Sequence, residues 1–451
     1  MDIMSLLAVL SQSLDQTTIG QLKVIVPAVL AMTGRVTMIG IARWTEVGGS
    51  YRTIQRFYHA SIPWALVFWL FFRAHLYRAG DEHLLIGDES VVTKAGKKTF
   101  GLDRFFSSLY GKPVPGLAFF TLSLVNVQER KSYPLLLEQV VRSAPEKVLN
   151  KVDKQVRKRG KSAGKPGKRG RPPGCKNKDK TQIEWNDELR LIERMVLQLL
   201  CLLAHHLPLT YFVLDGHFGH NNLLQMVRQR LSLHLISKLR QDAALYLPYQ
   251  GEQKPCGPRR RYGAKLDYDH LPAHALVAST VQAGIQTAIY QTTLLHKSFA
   301  QPINVVILVK TNLTNHKKAH VLLFSSDLAL AYDKLIDFYR LRFQIEFNFR
   351  DAKQFWGLED FMNVKQTPVT NAANLAFFMV NVSYALLAHC RHAVPDFSVL
   401  DLKAHFRSRR YLLETLKSLS LYPEHFFFDD LLDSLDKLGS IHQPLPISPP
   451  T

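Results

Sequence analysis

The chain opens with about 80 residues whose apolar side chains recur at helical spacing, with no strand-like run among them. From His83 the pattern changes. HLLIGDESVV reads as a buried strand running into acids, and Gly116–Val127 as a second strand after a turn at Lys112–Pro115. Ser132–Val141 fits either a third strand or the start of a helix. A helix is expected at about Ile183–His205, then an apolar run, Leu209–Leu214, that ends in Asp215. A helix (Asn221–Arg230) and a short strand (Leu233–Lys238) follow. Between about 242 and 325 strand-like runs alternate with turns: His274–Thr280, Gln286–Leu295, Ile303–Val309 and His320–Phe324. Beyond Gly357 the spacing is mostly helical, and the closing PLPISPPT predicts a disordered tail.

These elements predict an α/β protein, a mixed-sheet core carrying a β-rich insertion, with helical amino-terminal and carboxy-terminal regions. The expected divisions are a helical region at 1–80, a first core segment at 81–240 and an insertion at 241–326. A core helix follows at 327–365, then a helical region at 366–440 and the tail at 441–451. At 451 residues, two or three domains are expected. No internal repeat is visible.

One helix stands out. In YRLRFQIEFNFRDAK, Tyr339, Arg342, Glu346 and Lys353 are spaced so that, as one regular helix, they share an arc of about 60°. Phe338, Leu341, Phe343, Ile345, Phe347 and Phe349 point nearly every other way, which predicts burial all round. A ladder of Arg342, Glu346 and Arg350, four apart, is the plain explanation of the polar stripe. The sharper one is a metal-binding carboxylate whose neighbours hold phosphate.

Composition sharpens the choice. A net charge of +20 favours polyanionic partners, nucleic acid before an anionic membrane. The segment 150–180 holds thirteen Lys or Arg against two Asp, a net of +11, in a Gly/Pro-rich stretch that cannot bury a core. Within it KRGRPPG (Lys168–Gly174) resembles an AT-hook, slim enough for Arg169 and Arg171 to enter the minor groove of A·T-rich DNA. A solvated, nonspecific basic loop is the alternative. Thr37–Trp44, a Gly48–Gly49 turn and Ser50–His59 suggest a helix-turn-helix. There Ser50 is the N-cap, Tyr51, Ile54 and Tyr58 face inward, and Arg52, Gln55, Arg56 and His59 face DNA. An ordinary helical hairpin has the same pattern.

Four scattered cysteines without a CxxC pair speak against a zinc knuckle or disulfide framework and suit a reducing cytoplasm. The amino terminus lacks the basic n-region and cleavage site of a secretory signal. Pro63–Phe72, Met195–Leu214 and Leu375–Cys390 are each too short or too interrupted for a membrane span and read as core elements.

Three carboxylates have distinctive settings: Asp88 and Asp215 at strand ends and Glu346 on a late helix. Acids so placed can converge on two Mg²⁺ ions, which take oxygen ligands and, about 4 Å apart, promote phosphodiester displacement. Glu89 is a fallback ligand, although strand alternation sends it to the opposite face. His217 and His220 beside Asp215 hint at zinc, but plain loop or DNA contacts are preferred, as no further histidine is placed by motif.

The spacing Tyr339-x2-Arg342-x3-Glu346-x6-Lys353 resembles the YREK signature of DDE transposases from bacterial insertion sequences of the fourth insertion-sequence family. LLIGDES and YFVLDGHFGHN resemble that family's two Asp motifs, and the likeness spans about residues 30–395. It implies a ribonuclease-H-like core with a β-strand insertion between the second Asp and the Glu. It further implies that Asp88, Asp215 and Glu346 bind two Mg²⁺ ions (Mn²⁺ as a substitute) and that Tyr339, Arg342 and Lys353 grip phosphates. The expected activity is cut-and-paste transposition through a DNA hairpin, in a homodimer holding terminal inverted repeats and target DNA in the cytoplasm, without a membrane. The rival readings are a metal nuclease that cuts and never joins, and a domesticated DNA-binding protein.

Overall fold

A computed structural model describes residues 3–45, 48–107, 110–142, 179–203 and 206–418. The AT-hook-like stretch with Arg169 and Arg171, and the tail at 441–451, lie outside the described residues.

The sheet is built around β1 (His83–Thr93), whose LLIG segment is fully buried. A strand covered on both faces must be apolar almost continuously, as this one is. It pairs antiparallel with β3 (Lys112–Asn126), from His83↔Asn126 to Thr93↔Gly116. The next strand out is β4 (Lys131–Val140), antiparallel to β3, which resolves Ser132–Val141 as a strand. The short β2 (Asp103–Ser107) pairs with the beginning of β3. On the other side of β1 lie β5 (Tyr211–Leu214) and then β6 (His234–Leu239), both parallel. Three antiparallel strands followed by two parallel ones, in the order β4-β3-β1-β5-β6, form a ribonuclease-H-like core. The chain reaches β5 through helix α6 (Asp187–Leu203), and β6 through α7 (Asn221–Met226) and a π-helical turn, Val227–Leu231.

The β-rich block does not stand apart. It contains β7 (Leu245–Pro248), β8 (Tyr262–Lys265), β9 (Leu276–Gln282), β10 (Ile285–His296), β11 (Ile303–Asn312) and β12 (Lys318–Ser325). β12 pairs antiparallel with β6, and β11 and β10 follow it outward, so the insertion prolongs the core into a 12-stranded sheet.

Among the described residues, five α-helices precede the sheet: α1 (Ile3–Ala8), α2 (Gln16–Ala31), α3 (Met38–Trp44), α4 (Tyr51–His59) and α5 (Trp64–His75). Asp15, Thr37 and Ser50 cap α2, α3 and α4 by accepting backbone N–H bonds. Beyond the sheet come α8 (Tyr332–Leu341), α9 (Gln344–Gln354), α10 (Gln366–Cys390) and α11 (Val399–Ser418). The first and last helices share one apolar core, in which Trp64, Phe68 and Phe71 pack on Phe378. Asn371 of α10 donates to the carbonyls of Phe57, Tyr58 and Ala60 and accepts from Trp64 Nε1 at 2.8 Å, satisfying the end of α4. Lys403, Arg407 and Arg410 of α11 reach carbonyls of Val29, Ala31 and Thr45 near the ends of α2 and α3, where cations are favoured.

Helix α10 is long and apolar enough to cross a membrane, yet 83% of its most apolar window is buried inside the protein. Its Asn371, Asn374, Asn381 and Ser383 are buried and hydrogen-bonded within the fold, as the sequence reading of a core helix requires.

Candidate active site

Strand β1 carries Asp88 in its middle, not at its end: the strand runs five residues further, to Thr93. The antiparallel ladder with β3 continues past the acid to Thr93↔Gly116, while the parallel pairing with β5 stops at Gly87. On the neighbouring parallel strand Gly87 pairs with Leu214, so Asp88 and Asp215 occupy the next position on adjacent strands. Asp215 follows β5 directly, and its carbonyl accepts a hydrogen bond from Ser237 Oγ at 2.9 Å. The turn behind it is tight: a Cβ at Gly219 would stand 2.6 Å from the Lys238 carbonyl oxygen.

Glu346 arrives from above the sheet. The stretch read as one regular helix is two, α8 and α9, joined at Arg342–Phe343. There the N–H groups of Arg342, Phe343, Ile345 and Glu346 each bond three residues back, a tightened turn that changes the angular count. Phe343 consequently stands 51% exposed, where burial all round was expected. Two residues past Glu346, the fully buried Asn348 pins α9 to the sheet: its Oδ1 accepts from Ser132 Oγ at 2.6 Å and its Nδ2 donates to the Ser132 carbonyl at 3.0 Å.

These elements converge on Arg342. Its Nη1 donates to Asp88 Oδ2 at 2.7 Å and its Nη2 to Glu346 Oε1 at 3.1 Å. Tyr339 bonds to the same guanidinium, and the negative charge of Asp215 acts on it. Arg350 leaves the expected ladder and pairs with Asp351. Burial raises the Asp88 carboxyl to about 6 despite the opposing pull of Arg342, and Asp215 and Glu346 add to the rise. Burial likewise pushes Tyr339 up, while burial of Arg342 is outweighed by its acidic neighbours, which hold it above its ordinary range.

The other named residues divide. Lys353, further along α9, donates to the Val91 carbonyl at 2.8 Å and lies 3.5 Å from Glu359. Arg52 and Arg56 lie exposed on α4, away from these contacts, and Tyr51 is 41% exposed rather than inward, because Ile54, Phe57 and Tyr58 form the buried face. Glu89 faces the other side of the sheet, near Glu188 and His217. His217 is paired with Glu188 and His220 caps α7, so neither is turned with Asp215 toward a zinc site.

Among the described residues, no three His, Cys, Asp or Glu side chains hold a metal-binding arrangement as they stand. The donors nonetheless suit a hard divalent cation, because they are carboxylate oxygens gathered around an existing positive charge. One further observation points the same way. Thr121, directly across the ladder from Asp88, is fully buried, and its hydroxyl has no partner among the described residues. An isolated threonine inside an apolar strand gives no sequence signal, and only the β1–β3 register exposes it as a neighbour of the site.

Residues 9–302 match the family described as DDE superfamily endonuclease, well over half of the chain, including Asp88 and Asp215. No curated protein matches. With a ribonuclease-H-like sheet, adjacent aspartates and that match, the chain belongs to the DDE superfamily endonuclease family, and is by that membership a nuclease or transposase.

Proposed function

We propose that this protein is a DNA transposase that moves an insertion sequence by cut-and-paste. The observation that carries the reading is that Arg342 binds both Asp88 and Glu346, while strand register sets Asp215 beside Asp88 on the adjacent strand. In this reading Asp88, Asp215 and Glu346 hold two divalent cations, Mg²⁺ or Mn²⁺. Bound there, the ions would supply Lewis-acid activation of the attacking oxygen and neutralise charge on the departing one.

The chain's own groups do the rest. Arg342 turns from the carboxylates to a phosphate oxygen, Tyr339 donates its hydroxyl, and Lys353 fixes the strand beside β1. Water first opens the phosphodiester at the element's end; the freed 3′-hydroxyl attacks the partner strand, closing a hairpin and releasing the flanking DNA, and a second water reopens the hairpin to regenerate the 3′-hydroxyl that attacks the target. The amino-terminal helices, through Arg52 and Arg56, and the basic loop, through Arg169 and Arg171, would read the terminal inverted repeats. Two ends must meet, so a homodimer is the working unit, acting on double-stranded DNA in the cytoplasm.

The decisive experiment is Glu346→Gln. The variant is expected to fold and still retard terminal-repeat DNA, but not to cut it in Mg²⁺. Normal cutting would remove Glu346 from the site. Precut ends incubated with target DNA separate a transposase, which joins them, from a nuclease, which does not.

A further inference from the structure

Where β1 leaves the acidic cluster, it enters a second, basic cleft of about 960 Å³. Its walls include Arg35, Lys94, Lys97 and Lys98, with the Glu359 carboxylate in the lining and the Asp360 carboxylate 3.6 Å from Arg35. Lys97 and Lys98 are exposed on the loop that follows the strand. Five residues of extended chain separate Asp88 from Thr93, about 17 Å at the usual rise, or about five steps of duplex DNA. Lys353 joins the two regions through its bond to Val91.

The cleft also holds exposed apolar side chains that its charge does not explain, Tyr110 (55% exposed), Val364 (48%) and, furthest out, Met362. Met362 is 75% exposed, while Phe361 and Asn363 on either side are 4% and 7% exposed. An exposed apolar residue on a loose loop would mean little. This loop is fixed. Lys94 Nζ donates to the Glu359 and Phe361 carbonyls at 2.9 and 2.8 Å and lies over the Phe361 ring. The Asp360 carboxylate accepts from the Val36 N–H at 2.9 Å, the Val364 carbonyl from the Phe100 N–H at 2.9 Å, and Asn363 Nδ2 donates to the Pro368 carbonyl at 3.0 Å. Gly357, at φ +79, starts the loop in a conformation that L side chains rarely adopt. The fold thus spends many bonds to hold a flexible, unbranched apolar side chain out among cations.

We propose that this cleft seats duplex DNA beside the scissile phosphate and that Met362 enters the base stack as an apolar wedge, with Lys97 and Lys98 on the phosphates. The charge complements a polyanion, and a rigidly presented methionine is a side chain that can part a base step and kink the helix. The inference rests on the DNA-cleaving reading above and adds to it a place where the duplex is opened before or during cutting.

The test uses the full chain, Ca²⁺ in place of Mg²⁺, and duplexes bearing the DNA that flanks the coding region. 2-Aminopurine is placed at successive positions around the cut site. Wild type should raise fluorescence several-fold at one position, about five base pairs from the cut. Met362→Ala should lose that rise while binding within about twofold of wild type, and Met362→Leu should keep it. Lys97→Ala with Lys98→Ala should weaken binding and flatten the salt dependence by a slope of about 2. The inference is overturned if wild type binds none of these duplexes or gives no rise at any position, if Met362→Ala retains the rise, or if the double variant keeps the wild-type slope. Cutting in Mg²⁺ is measured on the same duplexes. Intact cutting without a rise sinks the wedge alone, whereas a rise without cutting sinks the enzymatic reading.

Discussion

Arg342 donates to Asp88 at 2.7 Å across 254 residues of sequence, placing a permanent positive charge against a carboxylate proposed to hold a divalent ion. The same guanidinium reaches Glu346, so one side chain sets a positive charge between two partly buried acids that repel each other. A metal bound there would therefore compete with the guanidinium for the same oxygens.

Arg342→Gln should expose that competition. Without the ion the variant is expected to be less stable, because Asp88 and Glu346 lose their counter-charge. Its affinity for Mn²⁺ should rise on the order of tenfold, equivalent to about 1.4 kcal/mol. Calorimetric titration of both proteins measures it, and equal affinities would show that the arginine does not compete. DNA cleavage should fall regardless, since the proposed contact of Arg342 with phosphate is removed.

Asn348 ties the helix that carries Glu346 to the sheet. Asn348→Leu removes the bonds that tie α9 to Ser132, so Glu346 should drift. Cleavage is expected to drop about 10- to 100-fold with DNA affinity unchanged, the pattern of a supporting residue behind a metal ligand. Asn348→Ser should recover part of the loss. A proportional fall in DNA affinity would instead indicate a general loss of structure.

The Asn371 side chain joins α10 to the end of α4 and to Trp64. Asn371→Leu leaves the Trp64 N–H and several carbonyls without partners in the core. A loss of about 3 kcal/mol is expected, read from the urea midpoint at unchanged m. A loss near zero would mean that α4 does not depend on α10.

Lys403 tests the opposite end of the same interface. Burial lowers its ammonium to about 8, while its Nζ donates to the Val29 carbonyl at 2.9 Å. Between about 8 and its ordinary value of 10.5 the unfolded chain keeps a proton that the folded chain has shed. The unfavourable effect of burying the charge is therefore present below pH 8 and relieved as pH rises toward 10.5. Relative to Lys403→Met, which never carries the charge, wild type should gain stability over that interval in urea titrations. A constant difference would place the lysine's pKa at its ordinary value.

Local pattern made the strands legible: LLIG and YFVL are apolar runs with no polar interruption, and each leads into an aspartate. Ser50 was legible as a cap because capping is a matter of a few adjacent residues. The break at Arg342–Phe343 was not, because counting at 100° per residue assumes regular winding and here the bonds close three residues back. Nor was the sharing of one core by the first and last helices. The bond from Trp64 to Asn371 spans 307 residues, and nothing in either local sequence names the other. Thr121 and Met362 escaped for a related reason: one matters through strand register and the other through the anchoring of its neighbours.

The pairing of β12 with β6 bears on shortened products of this gene. A polypeptide halted before Lys318 would leave the outer rim of β6 bare, with its N–H and C=O groups free to recruit any other strand. Fragments of that kind should clump or be degraded instead of persisting as dominant inhibitors that occupy DNA without cutting it. Restraint of the full-length protein would then have to come from somewhere other than truncation.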